Sequence, residues 1–256
     1  MKIAELFDIS GKIAVITGGG RGIGKTIADI YGEAGAKVVI TGRREQWLDP
    51  TIEEFKAKGY DCLSIKSDVS KPEDCELIIN TTLEKYGKID ILVNNAGMTW
   101  GAPTEDLPLD KWHLVMDTNL TSVFVLSKLA GKHMIERGAG GRIINISSMM
   151  GMGSDPESAK MIAYNTSKAG IIAFTRTLAK EWGEHNILVN AIAPGWFPTR
   201  LAGATIEANR ERFENQAAVG RIGELEDLKG VALLLAAPAS NYITGQVMVV
   251  DGGFSL

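Results

Sequence analysis

Short runs of β-branched and aliphatic residues alternate along this chain with longer stretches whose apolar positions recur at helical period. The runs at 12–17, 36–41, 62–68, 89–94, 142–147 and 186–193 predict strands, and 246–250 predicts a last one before Asp251-Gly252-Gly253. Several are apolar on both faces, as strands held between two helical layers must be. Helices are predicted between them at 22–34, 45–58, 72–86, 107–136, 158–182 and 225–236. Gly35, Gly59 and Gly87 stand where a left-handed residue closes a helix. Ser70, Pro72 and Asp74 read as a helix start. Strand–helix alternation implies a parallel sheet with right-handed crossovers. The pattern therefore predicts one doubly wound α/β domain over 1–256, with a parallel seven-stranded sheet flanked by helices. The stretch 196–222, after Pro194-Gly195, is charged, amphipathic and irregular, and reads as a mobile substrate-side lid.

Composition narrows the class. The 256 residues are 45% hydrophobic and 23% charged, which excludes a disordered chain, a coiled coil and a collagen-like repeat. A net charge of −4 gives no electrostatic reason to bind nucleic acid. Cys62 and Cys75 imply no disulfide framework and suit a reducing compartment. The opening MKIAELFDISGK lacks the apolar core of a signal peptide. The longest apolar run, Val231 to Ala237, falls far short of the ~18–20 residues that span a bilayer. A cytoplasmic protein without membrane or nucleic-acid partners is expected. His113, His133 and His185 are scattered, without metal-ligand spacing, and no metal is expected.

The first strand runs into Thr17-Gly18-Gly19-Gly20-Arg21-Gly22-Ile23-Gly24 and then a helix. Glycines in a first βα turn let the backbone approach a pyrophosphate, and the helix N-terminus offers that anion free N–H groups. This predicts a dinucleotide site of Rossmann type. The second strand ends Ile40-Thr41-Gly42-Arg43-Arg44, and the nearest carboxylate is Glu45. A carboxylate at the strand end would repel a 2′-phosphate, while arginine holds one with a planar fork of donors. Arg43, with Arg44 and Arg21, favours NADP(H), with NAD(H) as the other option.

Tyr164 and Lys168 lie at i and i+4, on one helical face. A free tyrosine has a pKa near ~10 and is a poor acid or base at neutral pH. A nearby ammonium would lower that value. Lys168 could thus poise Tyr164 as a general acid for reduction or a general base for oxidation.

These motifs stand in a fixed order with Asp68-Val69, Asn94-Asn95-Ala96-Gly97, Asn119, Ser148 and Pro194-Gly195. In that order and spacing the chain resembles the short-chain dehydrogenase/reductase family. The resemblance implies a catalytic set of Asn119, Ser148, Tyr164 and Lys168. Ser148 would hydrogen-bond the substrate carbonyl oxygen. The pattern S-S-x-x-G ending at Gly151 points to it over the adjacent Ser147. Lys168 would also hold the nicotinamide ribose, and Asn119 a water joining Lys168 to bulk solvent. For the cofactor the resemblance implies Thr17, Gly18, Gly20, Arg21, Gly22, Ile23 and Gly24. It adds Asp68 and Val69 at the adenine, Asn95, Ala96 and Gly97 along the groove, and Pro194, Gly195 and Thr199 at the nicotinamide. Between Ser148 and Tyr164 stand 15 residues, more than is usual in the family, with the extra length in GSDPESAK at 153–160.

Substrate contacts should come from loops at the carboxyl ends of the strands. The candidates are Met98-Thr99-Trp100, Met149-Met150-Gly151-Met152 and Trp196-Phe197-Pro198. Of these, Met98, Trp100, Met150, Trp196 and Phe197 are expected beside Ser148 and Tyr164. So methionine- and aromatic-rich a set suits an acyl chain better than a bare sugar. The segments NNAGMTWGAP, NAIAPGWFPTRLA and TGQVMVVDGGFSL resemble 3-oxoacyl thioester reductases, including the rhamnolipid-type branch. The same framework resembles gluconate 5-dehydrogenases. Reduction of a 3-oxoacyl thioester, on acyl carrier protein or coenzyme A, is therefore expected first, and sugar or polyol dehydrogenation second. A non-catalytic NADP(H)-binding sensor or scaffold is the alternative of another class. Family members are usually tetramers. Helix 107–136, with Leu114, Val115, Leu120, Val123, Phe124 and Leu126, is apolar around much of its girth. The following helix, with Ile171, Ile172, Phe174 and Leu178, reads likewise. Both predict a homotetramer with two-fold interfaces.

Overall fold

The structure is a computed structural model that describes residues 2–153 and 160–256. In chain order, α1 (Ile3–Leu6) and β1 (Ile13–Thr17) lead to α2 (Gly22–Glu33), β2 (Lys37–Gly42), α3 (Glu45–Ala57), β3 (Cys62–Lys66), α4 (Pro72–Tyr86) and β4 (Ile91–Asn94). Next, α5 (Leu109–Met116) passes through a π-helical turn at Asp117–Thr121 into α6 (Ser122–Arg137). β5 (Gly141–Ile146), α7 (Ile162–Trp182), β6 (Ile187–Pro194), α8 (Gly203–Gln216), α9 (Lys229–Ala236) and β7 (Val247–Val250) follow.

All seven strands form one parallel sheet in the order β3-β2-β1-β4-β5-β6-β7. The strand order reverses between β1 and β4. Such a reversal opens a crevice at the carboxyl ends of the strands, the usual ligand site of an open α/β sheet.

The alternation of side chains sorts each strand between two cores. Ala14 and Ile16 of β1, and Ile91 and Val93 of β4, pack with residues of α2, α3 and α9. Val15 and Leu92 pack on the other side, with α4, α6 and α7. β1, β4 and β6 are buried along their whole length, which is why their sequences are mostly apolar on both faces, with Thr17, Asn94 and Asn190 as buried polar exceptions. Polar groups inside this sandwich must find partners. The phenol of Tyr31 donates to the Ala232 carbonyl at 2.9 Å, tying α2 to α9. Asn94 Nδ2 donates to Ser127 Oγ (3.1 Å) and Asn145 Oδ1 (2.9 Å), and Asn145 Nδ2 to Thr175 Oγ1 (2.9 Å). That network pins β4 and β5 to α6 and α7.

Two expectations change. The helix expected over 107–136 is split by the π turn at Asp117–Thr121, where the regular i→i+4 ladder slips by one residue. The stretch 196–222 contains a helix, α8, kinked at Asn209, whose backbone leaves helical geometry (φ −134, ψ 20). The helix start read at Ser70, Pro72 and Asp74 is where α4 begins, with Lys71 as N-cap before Pro72; the Ser70 hydroxyl donates to Asp68 (2.8 Å). Asp74 accepts from the Asp68 N–H at 2.6 Å. The long insertion expected at 153–160 and the start of helix 158–182 lie largely outside the described residues. No helix among the described residues is long and apolar enough to cross a membrane.

Candidate active site

The cleft is built first by backbone at the β1–β4 switch. Thr17, buried at the end of β1, accepts the N–H groups of both Asn95 and Ala96 on its hydroxyl, each at 3.0 Å. Asn95 Nδ2 returns a bond to the Thr17 carbonyl at 2.8 Å. This lock places the loop after β4 against the glycine turn. Gly18 has φ +67, and a Cβ there would stand 2.9 Å from Asn95 Nδ2. A Cβ on Gly24 would meet the same amide nitrogen and lie 2.5 Å from the Gly18 carbonyl. Only glycine fits either place. The turn leaves the N-terminus of α2 open to the cleft, a ready anion site.

A cleft of about 520 Å³ follows the switch point. Its walls include Gly18, Gly20, Arg21, Gly22, Ile23 and Gly24, then Arg43, Arg44, Asp68 and Val69, and Asn95, Ala96 and Gly97. One end is dominated by guanidinium groups. Arg21 lies over the Trp47 ring, 4.9 Å from its centroid. Burial, with the charges of Arg200, Arg44 and Arg43 nearby, holds Arg21 below the usual guanidinium range. Arg43 stands 3.9 Å from Asp68. Asp68 also accepts from the Ser70 hydroxyl, so its charge is shared. Such a concentration of positive charge calls for an anion. The sequence reading missed Trp47 and Arg200. Trp47 comes from the first turn of α3 and Arg200 from the segment before α8, and only the fold brings them to the arginines.

At the other end α7 presents Tyr164 and Lys168 on one face, with Nζ 5.6 Å from the tyrosine ring centroid. Lys168 is buried and donates to the Ile146 carbonyl at 2.7 Å. Burial pushes its ammonium down to about 8. Burial also raises the Tyr164 phenol, while a hydrogen bond with Ser148 pulls the other way. The sequence predicted a Tyr164 pKa lowered by the lysine. The structure gives the opposite direction, because desolvation outweighs the Ser148 hydrogen bond.

The two adjacent serines differ in their contacts. Ser147 is buried and donates to the Lys168 carbonyl at 2.8 Å, a structural bond. Ser148 faces Tyr164 and accepts from the Met150 N–H at 3.2 Å. Gly151 is where α7 passes closest: a Cβ there would lie 2.6 Å from the Lys168 backbone. Asn119 sits in the π turn, fully buried, and does not line the cleft. Its Oδ1 accepts from Met98 N (2.8 Å), and its Nδ2 donates to Met98 O (2.9 Å) and Ser167 Oγ (3.0 Å). The side-chain amide is thus engaged in fixing the loop after β4.

Met98, Thr99, Met149, Met150, Trp196, Phe197 and Thr199 line the cleft, with Pro194 and Gly195 at its base. Met161 and Leu201 join them and were not foreseen. Trp100 is off this wall. It is 41% exposed and stacks under the Lys111 ammonium, 5.0 Å from its ring centroid. Met152 is likewise on the surface, at 54% exposure.

The sequence profile of a family described as enoyl-(acyl carrier protein) reductase matches residues 18–255. The rhamnolipid-biosynthesis 3-oxoacyl-(acyl-carrier-protein) reductase of Pseudomonas aeruginosa is 40% identical over 98% of this chain and 98% of its own. The 2-dehydro-3-deoxy-D-gluconate 5-dehydrogenase of Escherichia coli is 37% identical over 98% of both chains. A gluconate 5-dehydrogenase from Burkholderia cenocepacia, solved in complex with NADP and tartrate, superposes with a TM-score of 0.93 at 34% identity, covering 99% of each chain.

Proposed function

The chain belongs to the short-chain dehydrogenase/reductase family of oxidoreductases, and on that premise we propose that it reduces a ketone to a secondary alcohol with NADPH, the ketone being a 3-oxoacyl thioester. The observation that carries the reading is the hydrogen-bonded pair Ser148–Tyr164 beside buried Lys168, in a cleft whose far end gathers Arg21, Arg43, Arg44 and Arg200.

The fit to NADP(H) rests on the cradle where no Cβ can stand, at Gly18 and Gly24, and on the arginine cluster. The helix N-terminus after Gly22 would take the pyrophosphate, and the arginines the 2′-phosphate. The nicotinamide supplies the hydride. Ser148 donates to the carbonyl oxygen as charge builds on it. Tyr164, held protonated by burial, passes its phenolic proton to the same oxygen. Lys168 would hold the ribose of the bound cofactor and supply the proton that restores Tyr164. Asn119 holds Met98, and so the floor on which the ketone rests. Met149, Met150, Met161 and Trp196 form an apolar wall suited to an acyl chain.

The matched profile is described by an enoyl reduction. In that chemistry the hydride lands two carbons from the oxygen that gathers charge. Ser148 and Tyr164, hydrogen-bonded to each other, can both reach a single carbonyl oxygen, which suits a ketone. A sugar-acid dehydrogenase is the second reading. The likeness to gluconate-type enzymes favours it. The test follows nicotinamide absorbance with NADPH and NADH against acetoacetyl and longer 3-oxoacyl thioesters and a ketogluconate. Thioester turnover with NADPH preferred is the expected result. Turnover of the ketogluconate alone would move the protein to the second reading.

A further inference from the structure

Three aromatic rings meet where the chain leaves β6 for α8. Trp196 stacks on Phe213 of α8, with 4.2 Å between centroids and 10° between planes. Phe254, in the tail after β7, meets Trp196 edge-on at 6.4 Å and Phe213 at 5.8 Å. Phe213 and Phe254 are buried, while Trp196 is partly buried and lines the cleft. The indole N–H of Trp196 is enclosed and has no acceptor among the described residues. A buried tryptophan ordinarily fixes its ring through that N–H. Here no polar bond does so, and the neighbouring rings set its orientation.

The tail is itself held firmly. Asp251 accepts from Gly253 N (2.9 Å), Ser255 N (3.0 Å) and the Ser255 hydroxyl (2.6 Å). Gly252 and Gly253 both have positive φ, +65 and +77, and so turn Phe254 back toward α8. Both ends of the 196–222 stretch are tied to this tail. Gly195 N donates to the Val250 carbonyl at 2.9 Å, and Val219 N to the Gly252 carbonyl at 3.1 Å.

We propose that Phe254 is a specificity-determining positioning residue: from the C-terminal tail it holds the Trp196 ring as the wall along which the substrate's chain lies. The chemical class of that chain rests on the ketone-reductase reading; the role of Phe254 in fixing the ring does not. Two measurements separate these. The first is acrylamide quenching of tryptophan fluorescence for Phe254→Ala, in the wild-type and Trp196→Phe backgrounds. Quenching is expected to rise in the first background and to stay unchanged in the second. An equal response in both would overturn the proposal, whatever the substrate. The second is steady-state kinetics with acetoacetyl and long-chain 3-oxoacyl thioesters. Phe254→Ala is expected to raise KM for the long substrate about tenfold, the scale of lost apolar contact in a pocket. NADPH affinity and KM for the acetoacetyl thioester should hold, and Phe254→Leu should recover most of the loss. A uniform rise for both thioesters, or a matching loss of NADPH affinity, would reduce Phe254 to a folding residue and overturn the proposal. If wild type turns over no thioester, the 3-oxoacyl thioester reading fails, and the quenching comparison alone decides the role of Phe254.

Discussion

Lys168 is enclosed by protein, with its ammonium on the Ile146 carbonyl. Desolvation costs it charge, so it loses its proton near pH 8 instead of at its ordinary 10.5. Below that point the ammonium can replenish the Tyr164 proton; above it, the neutral amine still donates hydrogen bonds but no longer has that proton to give. The kcat/KM for reduction reports ionisations of the free enzyme. It is therefore expected to fall as pH rises through about 8. Lys168→Arg, whose group stays charged, should lose that limb in whatever activity it keeps. A wild-type profile level far beyond this pH would show that Lys168 does not titrate where its burial places it. At this scale the sequence was readable where chemistry is local. Tyr164 and Lys168 share a helix, and the glycines share a turn. It was unreadable where partners come from afar. Nothing local marks Trp47 as the seat of Arg21, or Arg200 as one of its charged neighbours. Trp100 was expected in the cleft because it follows Met98 closely, but Lys111 holds it outside.

Among the elements, β1 and β4 set the switch point, and Asp90 joins them. The residue stands just before β4, accepts from Ile13 N of β1 (2.9 Å), and pairs with Arg137 at the end of α6 (2.8 Å) and Lys88 (2.9 Å). Burial raises its pKa, but the Ile13 N–H, Lys88 and Arg137 outweigh that and hold it below the ordinary value. A carboxylate lowered in the folded state contributes stability that is complete above its unfolded pKa, ~3.9, and is lost as pH falls through the folded value. Asp90→Ala leaves Arg137 without its partner in a largely buried site, and is expected to cost about 3 kcal/mol at neutral pH. The difference from wild type should shrink in acid. Denaturant unfolding at several pH values checks it; a loss independent of pH would assign the cost to packing alone. Strands such as β1 and β6 were legible because burial on both faces demands mostly apolar sequence. α8 was not, because Ile206 and Phe213 are its buried residues, the rest is mostly polar, and the kink at Asn209 breaks the period.

At the scale of the whole molecule, some apolar side chains remain uncovered. Phe124 on α6 is 52% exposed and Leu109 on α5 is 68% exposed, while Val115, Val123 and Leu126 beside them are buried. An exposed aromatic on a long helix is a natural contact between copies. The homotetramer expected from the sequence is the assembly we propose, and sedimentation at low micromolar concentration should find it; a monomer would refute it. The cleft's chemistry is the more central claim. Its most direct test is Tyr164→Phe, which removes one oxygen and little volume. With NADPH and a 3-oxoacyl thioester, kcat is expected to fall about 10²–10⁴-fold, the share of a lost general acid. The NADPH dissociation constant should stay as in wild type. A variant that binds NADPH and turns over at the wild-type rate would contradict the assignment of Tyr164 as the proton donor, and with it the reading of this cleft as a ketone reductase.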